Sequence, residues 1–168
     1  MNYVGLDPST KTGIVILDKA GNVILEKEIT TTIKTEPDRF MDIANQVLKH
    51  IKKNDKVLIE GFSYGSRGRG VSTQYGIGWI IRALLVKENI SYTEVTPGQL
   101  KKFATGKGNT SKDNMILPIY KKWGYEHDSD NVRDAYVLAQ IGRALDGLEN
   151  TTKYQKEVLK KLVSERMN

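Results

Sequence analysis

Short apolar runs open the chain. Tyr3–Leu6 and Ile14–Leu17 flank a polar stretch with Pro8 and Gly13, which predicts a hairpin whose loop is wider than a two-residue turn. Gly21-Asn22 supplies the next turn, and Val23–Ile29 is a third extended run, so three consecutive antiparallel strands are expected. After a polar connection, Phe40, Ile43, Ala44, Val47, Leu48 and Ile51 recur at helical spacing. Val57-Leu58-Ile59 is short and wholly apolar, as in a strand buried on both faces, and it ends in Glu60.

Gly61–Gly70, rich in glycine and arginine, reads as a loop. Ile77, Ile80, Ile81, Leu84 and Leu85 mark a second helix, and Ser91–Val95 a fifth strand. Pro97-Gly98 opens a lysine-bearing segment that reaches Lys112. Met115, Ile116, Ile119, Tyr120 and Trp123 have helical spacing around an internal Pro118, which breaks or kinks a helix at about 3 kcal/mol. A helix over 131–145 and a last one from Thr152 complete the pattern.

The order βββ-α-β-α-β-α predicts an α/β protein with a five-stranded mixed sheet and helices on both faces. The first helix carries the chain back, so the fourth strand can run parallel to the first, about 4.8 Å away if they are neighbours. Asp7 and Glu60 would then close adjacent strands at their carboxyl ends and face one cleft. With no repeat and no linker, residues 1–168 read as a single domain, with 150–168 as a C-terminal helical extension.

Composition narrows the chemistry. Without cysteine there are no disulfides and no thiolate metal sites. No apolar run is long enough for a membrane span, and the first strand begins at once, so a cytoplasmic protein is expected. The net charge of +6 allows a polyanionic partner without requiring one.

The acids suggest a site. Asp7 can merely cap its turn, and Glu60 can merely meet solvent at a strand end, but two carboxylates held together favour a bound cation. A third source is Asp128-Ser129-Asp130-Asn131-Val132-Arg133-Asp134. Any of Asp128 to Asn131 can be a helix N-cap; Asp134, inside the first turns, fits that role least. Asp130 lies four residues before Asp134 and shares its face if the helix includes it; Asn131 is the rival. Asp7, Glu60 and Asp134, with Asp130 or Asn131, would make an all-oxygen site that selects Mg²⁺ or Mn²⁺ over zinc. His50 and His127 read as surface histidines, and there is no persuasive Ser-His-Asp set.

These motifs resemble a known family. Tyr-Val-Gly-Leu-Asp-Pro-Ser-Thr-Lys-Thr-Gly at the start, Leu-Ile-Glu at 58–60 and Asp-Asn-Val-Arg-Asp-Ala at 130–135 are similar to the RuvC-type Holliday junction resolvases, most of all the short bacteriophage-encoded members. Thr-Pro-Gly-Gln-Leu-Lys-Lys at 96–102, Gly-Lys-Gly at 106–108 and Lys112 resemble that family's lysine-bearing segment. The resemblance implies a ribonuclease-H-like fold, a homodimer, and Mg²⁺-dependent cleavage of four-way DNA junctions, in a bacterial host's cytoplasm if the chain is phage-encoded. It gives Asp7, Glu60 and Asp134 metal-binding roles, and Lys101 and Lys112 roles in DNA binding and catalysis. The departure is Asn131, where bacterial members carry an acid or histidine; Asp130 is the expected substitute.

Phosphodiester hydrolysis suits this set, with two metal ions per site and lysines offsetting developing charge. Arg67 and Arg69 can neutralise phosphates, as can Lys102 and Lys107, and Phe62 or Tyr64 can stack on an unpaired base. Gly76 and Gly78 in the second helix permit close approach, either of a second subunit or of the sheet. Competing readings are an actin-like or sugar-kinase-like phosphotransferase, for which the chain lacks a second domain and second phosphate loop, a non-catalytic nucleic-acid module, and a nuclease for branched or forked DNA in general.

Overall fold

The computed structural model describes residues 1–63 and 69–165, apart from the side chain of Arg69. Its five strands are β1 (Tyr3–Asp7), β2 (Thr12–Leu17), β3 (Val23–Ile29), β4 (Lys56–Glu60) and β5 (Tyr92–Val95). They form one sheet in the order β3-β2-β1-β4-β5. β1 is antiparallel to β2 and parallel to β4, and β4 is parallel to β5. The helices are α1 (Asp38–Leu48), α2 (Arg69–Lys87), α3 (Pro97–Thr105), α4 (Asp113–Trp123), α5 (Asp130–Leu145) and α6 (Lys153–Glu165).

Strand alternation sorts the side chains into two cores. Val4, Leu6, Ile14, Ile16, Val57 and Ile59 face α1 and α2. Tyr3, Val15, Leu17 and Leu58 face α5, with α3, α4 and α6 packed around it. Counting in twos from Tyr3 and Leu58 places Gly5, Asp7 and Glu60 on the α5 face.

Glycine sets how closely α5 lies on that face. A Cβ on Gly5 would stand 1.8 Å from the carbonyl oxygen of Ala135, and one on Gly13 would stand 2.1 Å from that of Asn131. The helix backbone therefore rests on bare strand backbone. This corrects the reading of Gly13 as a turn residue. It sits in β2, opposite Asp7 in the ladder, and only Pro8–Lys11 lie between the strands.

Three further expectations change. The helical part of 61–70 begins earlier than read, since α2 starts at Arg69. The segment after Pro97 is a helix, not a connection. Thr96 accepts from the Gln99 N–H while Gln99 returns a bond to Thr96, Pro97 occupies the first turn, and Gly106 closes the end at φ 84°. Leu100, Phe103 and Ala104 are its buried stripe, too short among the lysines to stand out in the pattern. Finally, Gly76 and Gly78 lie against aromatic rings of the same chain, not against the sheet backbone. A Cβ on Gly76 would meet the ring of Phe40 at 2.3 Å, and one on Gly78 the ring of Phe62 at 2.7 Å. α4 runs through Pro118 to Trp123, held by the buried Met115 and Ile119.

Candidate metal centre

Asp7 and Glu60 end neighbouring parallel strands whose last paired rung is Leu6 with Ile59. Asp134 comes from α5, one residue before the Ala135 that rests on Gly5. One oxygen of each carboxylate lies within 4.8 Å of the others. Asp7 is 3% exposed and Asp134 4% exposed, so this is a buried acidic cluster.

The electrostatics follow from that burial. Desolvation, then the charge of Glu60, holds the Asp7 carboxyl well above the usual range, and Asp7 hydrogen-bonds Glu60. Burial also raises Glu60, with the charge of Asp134 adding to it and the bond from Asp7 opposing it. We place the shared proton on Asp7. Asp134 is pushed up to about 7, first by burial and then by Asp7. Three acids that resist simultaneous ionisation are what a hard divalent cation relieves, and the donor set is all oxygen. The residues fit such a cation.

Lys112 is the nearest charge complement. Its Nζ lies 2.6 Å from Asp130 Oδ2 and 3.5 Å from Asp134 Oδ2. Burial opposes its charge, but Asp130, Asp134 and Asp7 together raise its pKa. Lys101, at the middle of α3, adds positive potential at Glu60.

The other predicted residues fall at varied distances from this centre. Ser129 is the N-cap of α5 and accepts from the Val132 N–H, which frees Asp130 from capping. Asp130 is tied to Lys112, whose hydrogen bond holds its carboxyl below the ordinary range. It stands outside the three-acid cluster. The Asn131 amide instead donates to Ser9 Oγ at 3.2 Å and to the Lys11 carbonyl at 2.9 Å, tethering the loop that follows Asp7. Lys102 pairs with Glu157 of α6 at 2.9 Å, and Lys107 is exposed in the loop after α3. Phe62 is half-buried beside Tyr75 and Trp79, with ring centres 4.8 and 5.1 Å away. Tyr64, Arg67 and the side chain of Arg69 lie outside the described residues. His127 accepts from the Ser129 N–H through Nδ1, and burial holds His50 below its ordinary pKa.

The sequence reading missed two contributions. Gly5 and Gly13 let α5 bring Asp134 to Asp7; the signal was glycine inside apolar strand runs. Arg82 holds the Glu60 carbonyl at 2.9 Å; the signal was a lone charge within the apolar helical stretch Ile77–Leu85.

Two acids closing adjacent parallel strands, joined by a third from a helix laid on the same face, belong to the ribonuclease-H-like class of folds. A solved structure titled T. thermophilus RuvC in complex with Holliday junction substrate superposes with a TM-score of 0.71 at 16% identity, over 90% of this chain and 99% of that one. A second Thermus thermophilus RuvC structure gives 0.69 over 90% and 100%. No protein-family model matches the sequence. The crossover junction endodeoxyribonuclease RuvC of Campylobacter hominis is 30% identical over 150 residues, covering 83% of this chain and 93% of the relative. That of Petrotoga mobilis is also 30% identical, over 151 residues, 83% and 91%. The chain belongs to the RuvC family of crossover junction endodeoxyribonucleases.

Proposed function

We propose that the protein is a Mg²⁺-dependent endonuclease that cuts branched DNA, resolving four-way junctions by phosphodiester hydrolysis. The observation that carries this is the buried cluster of Asp7, Glu60 and Asp134 with Lys112 at its edge. Membership of the RuvC family and the resemblance in fold to a RuvC bound to a Holliday junction support the substrate.

Asp7, Glu60 and Asp134 would hold the metal, with Asp130 a fourth ligand once Lys112 leaves it. Bound there, two Mg²⁺ ions, or Mn²⁺ in their place, would supply an activated water and charge stabilisation at the leaving oxygen. The protein's own part is to keep three carboxylates ionised around that charge. It also brings Lys112 to the scissile phosphate, where an ammonium offsets charge that develops as the bond breaks. Lys101, on α3, serves both the phosphate and the negative site. Lys102, Lys107, Arg67 and Arg69 are assigned to phosphates of the arms by their charge, and Phe62 and Tyr64 to stacking on an unpaired base by their rings.

We read the working unit as a homodimer. A four-way junction presents two equivalent strands, and symmetric incision needs two sites related by a two-fold axis. An apolar stripe on α2 offers a self-complementary face: Trp79 is 58% and Val86 64% exposed, with the exposed Ala83 between them.

The test is cleavage of matched four-way, three-way, forked and linear DNA by the pure protein, in Mg²⁺ and in chelator. Preference for the four-way substrate, with loss in chelator and in Asp7→Asn, is expected. Equal cutting of forks and junctions favours the general branched-DNA nuclease, and binding without cutting the non-catalytic module.

A further inference from the structure

Arg82 is the charge inside the apolar core of α2, and it is 2% exposed. Each of its three nitrogens donates a hydrogen bond. Nη1 donates to the Gly78 carbonyl at 3.0 Å, one turn back on the same helix. Nη2 donates to the backbone carbonyl of Glu60 at 2.9 Å. Nε and Nη2 both donate to Glu94 Oε2, at 3.0 and 2.9 Å. The flat face of the guanidinium is covered as well. Its central carbon lies 4.3 Å from the ring centre of Phe62, 5.8 Å from Trp79 and 6.0 Å from Tyr92.

The three residues that leave β4 are therefore held in turn. The Glu60 carbonyl accepts from Arg82. The Gly61 N–H donates to the Val95 carbonyl at 2.8 Å, and a side chain there would press on Glu94 Oε1 at 3.0 Å. The Phe62 ring lies on the guanidinium, in space that Gly78 leaves by having no side chain.

Stability alone does not explain a cation in this place. A buried ion pair returns little over a well-packed apolar residue, because both charges are desolvated. What leucine cannot do is hold a strand-end carbonyl, a carboxylate and an aromatic face at once. Lysine cannot do it either, having neither the planar fork nor the stacking face.

We propose that Arg82 is a positioning residue for the nuclease site. It fixes where the Glu60 carboxylate stands and the course of Gly61 and Phe62 after it, so that the metal ligand and the Phe62 ring are set by one group. This rests on the reading of Glu60 as a metal ligand.

Arg82→Lys and Glu94→Ala are compared with the parent in three measurements. These are Mg²⁺ titration of the DNA-free protein by calorimetry, single-turnover cleavage of saturating four-way junction, and Trp79 emission in a Trp123→Phe background. Arg82→Lys, melting cooperatively, is expected to weaken metal binding about tenfold and to slow saturated cleavage by a factor of about 10–100, the range for partners that orient metal ligands. Trp79 emission shifts as Phe62 leaves its place. A cooperatively melting Arg82→Lys with the parent's metal affinity and saturated rate overturns the proposal, since a core role alone moves neither. If Arg82→Lys does not fold, Glu94→Ala decides by the same measures: weaker metal binding supports the proposal, and parental values overturn it. A parent that neither binds Mg²⁺ nor cuts junctions instead overturns the proposed function. Trp79 emission then decides the clamp alone, a shift in Arg82→Lys supporting it and unchanged emission overturning it.

Discussion

Lys112 holds Asp130 at 2.6 Å from the residue just before α4. Both side chains are 45% exposed, so the pair itself adds only about 0–1 kcal/mol to stability. Its consequence is positional: an ammonium sits at the mouth of the acid cluster, also 3.5 Å from Asp134. Lys112→Ala is expected to slow cleavage of saturated junction on the order of 10²-fold, the loss typical of one charge-stabilising group. Lys101→Ala should lose both rate and affinity, and its salt dependence should fall by a slope of about one. Single-turnover rates and salt titrations of binding measure the two. An unchanged saturated rate in Lys112→Ala would reduce the lysines to a binding surface.

Asp7→Asn is expected to abolish cleavage while leaving junction binding largely intact. It removes one charge of the proposed metal site, whereas the proposed phosphate contacts are cations elsewhere. Gel-shift binding in chelator and cleavage in Mg²⁺ read the two separately. Turnover at the parent's rate by the folded variant would remove Asp7 from the site.

Asp130 and Asn131 are separable. Asp130→Asn should raise the Mg²⁺ concentration needed for half-maximal cleavage. Asn131→Ala should instead loosen the Ser9–Lys11 loop, whose tether it cuts. A metal requirement raised only by the Asn131 change would assign the fourth position to the other neighbour.

The metal-free protein should lose stability as pH rises. Asp134 has a folded pKa of about 7 against about 3.9 in the unfolded chain. Between these values the unfolded state binds fewer protons than the folded state, so stability falls with pH from about 4 to about 7 and then levels off. Asp7 and Glu60, also raised, act in the same direction. Under the proposed function Mg²⁺ takes the ionised acids as ligands, and it should restore the melting temperature most above pH 7. Asp134→Asn should flatten the profile in chelator; each kcal/mol recovered appears as about 2–4 °C for a chain of this size. Melting curves across pH, with and without Mg²⁺, check this. A profile that rises with pH in chelator contradicts it.

Gly13→Ala should separate folding from site assembly. Its Cβ would stand 2.1 Å from the Asn131 carbonyl, near the end of α5. Lifting that end costs about 1–3 kcal/mol and carries Asp134 away from Asp7. The variant should still melt cooperatively yet bind Mg²⁺ weakly. Gly5→Ala, at 1.8 Å from the Ala135 carbonyl deeper under the helix, should be destabilised more. Calorimetric metal titration and melting temperatures distinguish them.

Local pattern determined much of this protein. Apolar runs at Tyr3–Leu6, Ile14–Leu17 and before Glu60, and period 3.6 in α1 and α2, follow from burial in and against a sheet, which neighbouring residues record. The two strand-end acids were legible because each follows an apolar run, and Asp134 because a carboxylate inside a helix fits a capping role least. Tertiary structure decided what depends on partners distant in sequence. Gly13 reads as a turn until the Asn131 carbonyl is set above it, and Gly78 reads as a helix flaw until the Phe62 ring fills its space. Pro97–Thr105 is a helix because α5 and α6 cover its short apolar stripe. Asp130 and Asn131, adjacent and alike in capping tendency, part company only when Lys112 takes one and Ser9 the other. Arg82 has no local partner that explains it; its meaning lies in Glu60, Glu94 and Phe62, which only the folded sheet brings within reach.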